Sequence, residues 1–163
     1  MSNGMLVRLQ PLAAANFLGG SYSSAGINAA FPVGNLASPQ PKVVMQTNPN
    51  ATPWQTVIDI DLGADIEVDT LAVLFTNMAV NSIWKAYGAV AAAGLGAPGT
   101  ETAGNFRFGF TGWASFGVAP TTRQTTRHAI AMAAPATFRW LRIYFQDYPA
   151  DNPEHLTRIG IIA

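Results

Sequence analysis

The sequence predicts an all-β protein, built as an antiparallel β-sandwich or barrel. Short runs of β-branched and aromatic residues are separated by clusters of Pro, Gly and Asn, which is typical of strands joined by turns. In the segments 57–63 and 137–145, successive side chains alternate in character with the period of two that a strand imposes. No segment carries a sustained helical stripe with start and stop signals. These three observations favour sheets over helices.

The first half of the chain supplies strands of two kinds. The segments MLVRL (5–9) and KVVMQ (42–46) are short apolar runs, and the stretch between them is predicted to be irregular. In TVIDIDLG (56–63) three aliphatic residues alternate with two aspartates, so one face is predicted to be buried. DTLAVLFTN (69–77) is almost continuously apolar, which indicates a strand buried on both faces. SIWKAYGAV (82–90) then leads into a loop of small residues.

The second half continues the same pattern. In NFRFGF (105–110) every second residue is Phe, and RHAIAMA (127–133) is a further apolar run. In TFRWLRIYF (137–145) aliphatic and aromatic residues alternate with Arg142 and Tyr144. A last apolar segment, LTRIGIIA (156–163), closes the series.

Composition limits the classes of partner. The chain has 163 residues, which predicts one domain, and its nine basic and nine acidic residues cancel. Nucleic acid and anionic membrane are therefore not expected as partners. Only 11% of the residues are charged, against about 25% in ordinary soluble domains. A surface so poor in charge favours association, and we expect a homo-oligomer.

The sequence also lacks several recognisable signals. Cysteine is absent, which excludes disulfides and thiolate metal sites within this sequence. The first twenty residues do not match the pattern of a secretory signal, and no apolar run reaches the length of a membrane-spanning helix.

Five short patterns occur in an order that resembles a known fold family. They are GNL (34–36), VIDIDLG (57–63), DTLAVLFTN (69–77), PATFRWLRIYFQD (135–147) and RIGIIA (158–163). In this order they resemble the galactose-binding-like, or discoidin (coagulation factor type C), jelly roll, in the variant found in bacteriophage tail and virion proteins. The resemblance implies an antiparallel β-sandwich of the jelly-roll type over residues 34–163. Residues 1–33, which it does not cover, are predicted to form an irregular N-terminal arm.

Two arginines lie inside the most apolar segment, and we interpret them as structural. In jelly rolls of this kind the alternate aliphatic residues of the late strand fill the core. The resemblance therefore implies that Arg142 lies across the sheet face or pairs near a strand end. The aliphatic part of its side chain would then cover apolar surface while its guanidinium stays solvated or paired. Arg139 lies three residues before it in the same strand.

No catalytic constellation is present, so we predict that the chain is not an enzyme. GLGAPG (94–99) matches a dinucleotide-binding pattern of glycines, but Pro98 and the residues after it do not continue as a helix, which argues against a nucleotide cofactor. There is neither a nucleophile elbow nor a pair of histidines at zinc-binding spacing. Asp59 and Asp61 lie on one face of a predicted strand, where a role in the fold or at the surface is favoured over acid–base chemistry.

Metal binding has little support in the sequence. The two histidines, His128 and His155, are 27 positions apart. The turn DNPEH (151–155) offers oxygen ligands that calcium accepts, without the spacing of a known calcium loop. A solvated polar turn is the favoured interpretation, so no cofactor is predicted and calcium stays an open alternative.

The candidate binding residues come from loops at one end of the predicted sandwich. Loops alternate between the two ends if each strand crosses the sandwich once, which places 47–55, 77–82, 112–126 and 147–155 together. These loops contain exposed-type aromatic residues beside amide and carboxylate groups, as sugar platforms and protein contacts both require. The predicted carbohydrate- or partner-binding residues are Trp54, Asn77, Asn81, Trp113, Asp147, Tyr148, Asp151 and Asn152.

Two functional hypotheses follow. The first, implied by the resemblance and by the low charge, is a non-enzymatic bacteriophage virion protein of the tail or fibre region. It would assemble with other virion proteins and with copies of itself, and would contact host-surface carbohydrate through the loop end. The alternative is a free carbohydrate-binding module, lectin-like and assisted by calcium or independent of it.

Overall fold

The computed structural model describes residues 20–22, 26–38, 40, 43–48, 54–77, 82–99, 114–115, 126–147, 158–159 and 161–162. Within these residues the regular structure consists of strands and two short 3-10 helices, Val33–Ala37 and Ala92–Gly94, and there is no α-helix. The strands are β1 (Gly20–Tyr22), β2 (Met45–Gln46), β3 (Trp54–Thr76), β4 (Ile83–Ala89), β5 (Ala114–Ser115), β6 (Thr126–Asp147), β7 (Arg158–Ile159) and β8 (Ile161–Ile162).

A long antiparallel ladder between β3 and β6 organises the structure. It begins at the pair Trp54 and Asp147 and ends at the pair Thr76 and Thr126. Three register shifts interrupt it, between Asp61 and Ile66, between Val68 and Thr70, and between Leu74 and Thr76. Such shifts are β-bulges or related irregularities, which bend a strand and increase its twist.

The ladder must fold back on itself. If β3 ran straight, its 23 residues would extend for about 70 Å. β4 nevertheless begins at Ile83, opposite Gln146, beside the start of β3. Only six steps of chain separate Asn77 from Ile83, and they span at most about 20 Å. The two halves of the ladder therefore lie over each other as two layers, and its two ends come together.

The remaining strands extend these layers. The main sheet has the order β1-β3-β6-β4-β5, with β8 pairing with the second half of β3. β2 and β7 form a separate two-stranded sheet. Every pairing between described strands is antiparallel.

The core lies between the two layers and draws residues from both. Ile58 and Ile60 come from the first half of β3, whereas Leu71 and Val73 come from the second half, and all four belong to one apolar cluster. The other fully or almost fully buried members of this cluster are Leu36, Met45, Trp84, Ala86, Phe138, Leu141, Ile143 and Phe145. Alternation places Ile58 and Ile60 on the inner face, together with Leu141, Ile143 and Phe145, as the sequence predicted for 56–63 and 137–145. Phe138, three positions before Leu141, reaches the core beyond a register shift that breaks this alternation.

The all-β prediction is confirmed, with one difference in how the strands are divided. The predicted strands 56–63 and 69–77 are parts of β3, and 127–133 and 137–145 are parts of β6. Because β3 and β6 bend together, the ladder continues through the predicted turns and register shifts accommodate the bend.

Other predicted segments are shorter than expected or cannot be compared. The segment 42–46 is a strand only at its end, and the described residues of 156–163 form β7 and β8. The predicted strands 5–9 and 105–110 lie outside the described residues.

Part of the predicted N-terminal arm belongs to the sheet. Gly20–Tyr22 pairs with β3, and Ile27 forms a bridge with Thr47. The arm is thus attached to the sandwich at two points before residue 34. The division of the chain at residues 33 and 34 stays a prediction.

Gly88 provides a test of how tightly the core packs. Its position faces the core, and an added Cβ would lie 2.7 Å from Cδ1 of the buried Phe138 ring. We expect Gly88→Ala to destabilise the protein by about 1–3 kcal/mol through overpacking. At this chain length the midpoint of thermal unfolding would fall by roughly 2–4 °C for each kcal/mol. Thermal unfolding followed by circular dichroism measures the change.

The matched control for that test is the double variant Gly88→Ala with Phe138→Leu. A smaller side chain at Phe138 relieves the clash, so the two substitutions should be less destabilising together than their sum. Additive effects of the two substitutions would contradict the steric explanation.

Candidate functional site

Strand ends from three adjacent strands meet at one edge of the main sheet. Trp54 at the start of β3 pairs with Asp147 at the end of β6, and Ile83 at the start of β4 pairs with Gln146. β5 joins the same edge, because Ser115 pairs with Ile83. We call the surface formed at these strand ends the strand-end surface.

The fold-back of the ladder brings a further predicted residue towards this surface. Asn77 follows directly after β3, and the short connection to Ile83 keeps it near the same edge. Its side chain is buried, with 8% of the residue exposed, and takes part in an interaction within the chain. Asn77 therefore lies at the base of the strand-end surface and does not project from it.

The structure describes only some of the predicted binding residues. Trp54 and Asp147 are brought together as direct partners in the ladder. The others lie outside the described residues: Asn81, Trp113, Tyr148, Asp151 and Asn152. Trp113 is the residue before Ala114, which pairs with Trp84 near the same edge. The set as a whole stays a prediction.

Buried polar side chains near the strand-end surface were not singled out from the sequence. Thr56, Thr76 and Ser82 are almost completely buried close to the ends of β3 and β4. Thr56 lies two positions before Ile58, and Ser82 lies two positions before Trp84, so both face the core in the alternation of the strand. A polar residue at a core-facing position was the signal that could have identified them.

Thr56 differs from the other buried polar residues in its hydrogen bonding. The residue is 1% exposed, and its Oγ1 has no hydrogen-bond partner among the described residues. Burying a hydroxyl without a partner has a free-energy cost of about 1–3 kcal/mol. A buried hydroxyl without a partner in the chain is rare in folded proteins, and a functional role or a bound water can account for it.

Arg142 has a structural role, as the sequence predicted. Its Nε and Nη2 donate to the two carboxylate oxygens of Asp59, at 2.6 and 2.8 Å. Its Nη1 donates to the carbonyl oxygens of Leu95 and Gly96, both at 3.1 Å. The residue is only 4% exposed. The guanidinium therefore fastens the loop after β4 onto the outer face of the sheet.

A second contact holds the same loop. The Gly99 amide donates to the hydroxyl of Tyr144, 2.6 Å away. Tyr144 is buried on the outer face, two positions after Arg142, and Tyr87 of the neighbouring strand packs edge-on against its ring. The outer face is thus occupied by internal contacts in this region.

Arg139 and Asp61 form a second bidentate pair, closer to solvent. Arg139 donates through Nε and Nη2 to the carboxylate of Asp61, at 2.6 and 2.8 Å. The Gly63 amide donates to the same carboxylate at 2.8 Å, in a turn where Gly63 has a φ of +83°. These donors favour the ionised carboxylate, and the Arg139 hydrogen bonds foremost hold the pKa of Asp61 at about 2, while partial desolvation acts in the opposite direction. Both predicted strand aspartates serve the fold.

The described residues contain no group of three or more His, Cys, Asp or Glu side chains that could hold a metal ion. The turn 151–155, where calcium was left open, lies outside them. Among the helices of the described part of the chain, none is long and apolar enough to cross a membrane.

No protein-family model matches the chain, and no curated protein does. Solved structures do match. A chitosan-binding module derived from a chitosanase/glucanase of Paenibacillus sp. IK-5 is 14% identical with a TM-score of 0.54, and the alignment covers 90% of both chains. The family 32 carbohydrate-binding module of Clostridium perfringens NanJ, solved in complex with galactose, is 10% identical with a TM-score of 0.54, covering 91% of this chain and 93% of that one.

A third solved structure belongs to the same group. It is a family 32 module, CBM32-3, from a family 31 glycoside hydrolase of Clostridium perfringens, 11% identical with a TM-score of 0.56. The alignment covers 93% of this chain and 91% of that one. At these identities the likeness shows the fold, which confirms the antiparallel β-sandwich that the sequence predicted. None of the three is described as a phage protein.

Arg142→Met should detach the loop from the outer face. The substitution removes four hydrogen bonds and leaves the Asp59 carboxylate and two carbonyls without their donor. We expect the free energy of unfolding to fall by about 3 kcal/mol. This is the lower end of the range for breaking a buried ion pair, because Asp59 remains partly solvated. Hydrogen exchange should rise in residues 91–99 well beyond the change elsewhere.

Arg139→Met is the matched control, since it breaks an ion pair of the same geometry at a more exposed site. It should reduce stability much less and leave exchange in residues 91–99 unchanged. Equal effects of the two variants would contradict the structural role assigned to Arg142.

The Asp61 pair should make stability depend on pH in the acid range. The pKa of Asp61 is lowered in the folded protein, so its stabilising effect is fully present above the ordinary value of 3.8. That effect is lost as the pH falls through the folded pKa of about 2. At pH 6 we expect Asp61→Asn to have a lower unfolding midpoint than the unmodified protein. The difference between the two midpoints should become smaller as the pH falls from 4 to 2. A difference that stays constant over this range would contradict the pairing.

Proposed function

We propose that the protein is a non-catalytic carbohydrate-binding module that binds a glycan at the strand-end surface. The observation that carries the proposal is the pairing of Trp54 with Asp147 at the edge where β3, β6, β4 and β5 come together. Through this pairing, a residue with an indole ring and a residue with a carboxylate are backbone neighbours on adjacent strands. Sugars are recognised by this combination of a flat apolar face and nearby hydrogen-bonding groups.

The chemistry of the adjoining loops supports the same ligand class. Segment 47–53 contributes Asn and Thr, and segment 147–155 contributes Asp, Asn, Tyr and Glu. Amide and carboxylate groups can each bond two neighbouring hydroxyls of a sugar ring. Below them, the buried hydroxyls of Thr56 and Ser82 add polar groups at the base of the surface.

The structural neighbours support the proposal at the level of the fold. The matched structures are described as a chitosan-binding module and as family 32 carbohydrate-binding modules, one of them bound to galactose. Two of them come from chains that also carry a hydrolase, and the modules themselves are named for binding. Neither the fold nor these neighbours favours one sugar for this chain.

The virion role that the sequence favoured draws no support from the neighbours, so carbohydrate binding becomes the leading proposal. Assembly with virion proteins and a location in a phage tail stay predictions from the sequence alone. A glycan-binding module located on a virion would be consistent with both carbohydrate binding and assembly into a phage tail.

Loss of two tryptophans should abolish glycan binding. We expect Trp54→Ala combined with Trp113→Ala to remove binding to any glycan that a glycan array identifies, because the stacking platform is lost. Isothermal titration calorimetry with that glycan then measures the affinity, in the presence of calcium and of EDTA. The unfolding midpoint should change by only a few degrees if both residues lie at the surface.

Trp140→Ala is the matched control for that experiment. Trp140 pairs with Ala89 at the opposite end of the first layer and lies under the Arg139 guanidinium, 5.4 Å from the ring centroid. Its truncation should leave glycan affinity unchanged. Persistent binding in the double tryptophan variant, or a loss of binding in Trp140→Ala, would place the ligand elsewhere.

A further inference from the structure

One buried hydroxyl beneath the strand-end surface has no assigned hydrogen-bond partner. Thr56 lies two residues after Trp54 on β3 and is 1% exposed. Its Oγ1 is enclosed, and no group among the described residues donates to it or accepts from it. A hydroxyl removed from water needs at least one such partner to offset the loss of its hydration. The identity of that partner can be argued from the neighbours of Thr56.

On one side of Thr56 the neighbours are apolar. Its register partner on β6 is Phe145, and Phe145 in turn pairs with Trp84 on β4. The rings of Phe145 and Trp84 are stacked with their centroids 6.3 Å apart, inside the apolar cluster. Ile58, the next core-facing residue of β3, belongs to the same cluster. Neither Phe145 nor Ile58 carries a hydrogen-bonding side-chain atom, and Trp84 is one strand further away, so the partner does not come from this side.

The other side differs, because the register partner of Thr56 on β1 is Ser21. Directly opposed residues of an antiparallel pair share one face of the sheet, with Cβ atoms about 4.5–5.5 Å apart. Thr56 and Ser21 are therefore two hydroxyl-bearing residues at facing positions, and Thr56 Oγ1 does not bond to a neighbour directly. Polar groups at such a separation are commonly joined through one water molecule.

Water is the ligand whose size and chemistry fit this position. Because Oγ1 is enclosed and Thr56 is 1% exposed, a sugar on the strand-end surface does not reach it. The described members of the surrounding apolar cluster include no charged side chain, so an ion would be buried without a counter-charge. A water molecule can donate to one hydroxyl and accept from another, and ladder carbonyls keep a second lone pair for its remaining proton.

We infer that a buried water molecule is bound between Thr56 and Ser21 and joins β3 to β1 beneath the strand-end surface. β1 pairs with β3 over only three residues, Gly20–Tyr22. A bridging water is nearly as favourable as a direct hydrogen bond, so it adds a side-chain link to this short ladder. The water thus helps to attach the N-terminal part of the chain to the sandwich.

Thr56→Val tests the inference through the sign of its effect on stability. Valine has nearly the same shape as threonine and suits a strand equally well. Removing a hydroxyl that has no partner should raise the midpoint of thermal unfolding, whereas removing one that binds water should lower it. We expect the midpoint to fall by roughly 2–4 °C, the shift for one hydrogen bond at this chain length. A higher midpoint would overturn the inference.

Magnetic relaxation dispersion of water ¹⁷O nuclei detects long-lived buried waters directly. Thr56→Val should lose the contribution of one such water, and Thr56→Ser should keep it because the hydroxyl is retained. Thr137→Val is the matched control, since it makes the same chemical change at an exposed strand position. It should leave the dispersion unchanged. Unchanged dispersion in Thr56→Val would show that no water is bound at this hydroxyl.

A double-mutant cycle tests the second partner. Ser21→Ala should lose the same water, and its effect on the unfolding midpoint should be less than additive with that of Thr56→Val. Additive effects, with full dispersion retained in Ser21→Ala, would contradict the bridge. Coupled effects without any loss of dispersion would mean that the two hydroxyls bond each other directly, which also contradicts it. None of these measurements needs a bound glycan, so the inference is tested separately from the proposed function.

Discussion

The short connection between Asn77 and Ile83 is the constraint on which the rest of the structure depends. It forces the two ends of the long β3–β6 ladder together, so the ladder bends into two layers with the core between them. The entropy lost in this closure is offset by burial, because residues from both layers then share one apolar cluster. The same closure gathers the strand ends into one edge.

On the outer face of the sheet, charged side chains join β3 to β6 and hold the loop after β4. Asp59 and Asp61 of β3 bind Arg142 and Arg139 of β6, and both pairs are bidentate. A planar guanidinium suits this role better than an ammonium, because its donors form a rigid fork that can bind a carboxylate and two carbonyls at once. Arg142 extends the pairing to the loop at Leu95, so an interaction within the sheet also shapes the surface beyond it. With these charges paired internally, the surface around the loop is left nearly neutral.

Much of the fold could be predicted from the sequence because alternation is a local property. The core faces of 56–63 and 137–145 followed from the period of two, and the order of short patterns implied the jelly roll. The pairing of Asp59 with Arg142 could not be predicted, since it depends on the register between strands 83 positions apart. The continuity of β3 through the turn at Gly63 was missed for a similar reason. A local turn signal cannot show that the partner strand bends at the same level.

The functional prediction was less complete, because loops lack the periodicity that identifies strands. The loop count did lead to an end at which Trp54 and Asp147 are adjacent, yet it gave no weight to the polar residues below them. Thr56 and Ser82 break the apolar alternation at the level where the strands end, and a domain selected for stability alone would place aliphatic residues there. This departure from the ordinary pattern is in the direction that the proposed ligand requires, because polar groups are retained where a hydroxylated ligand is proposed to bind.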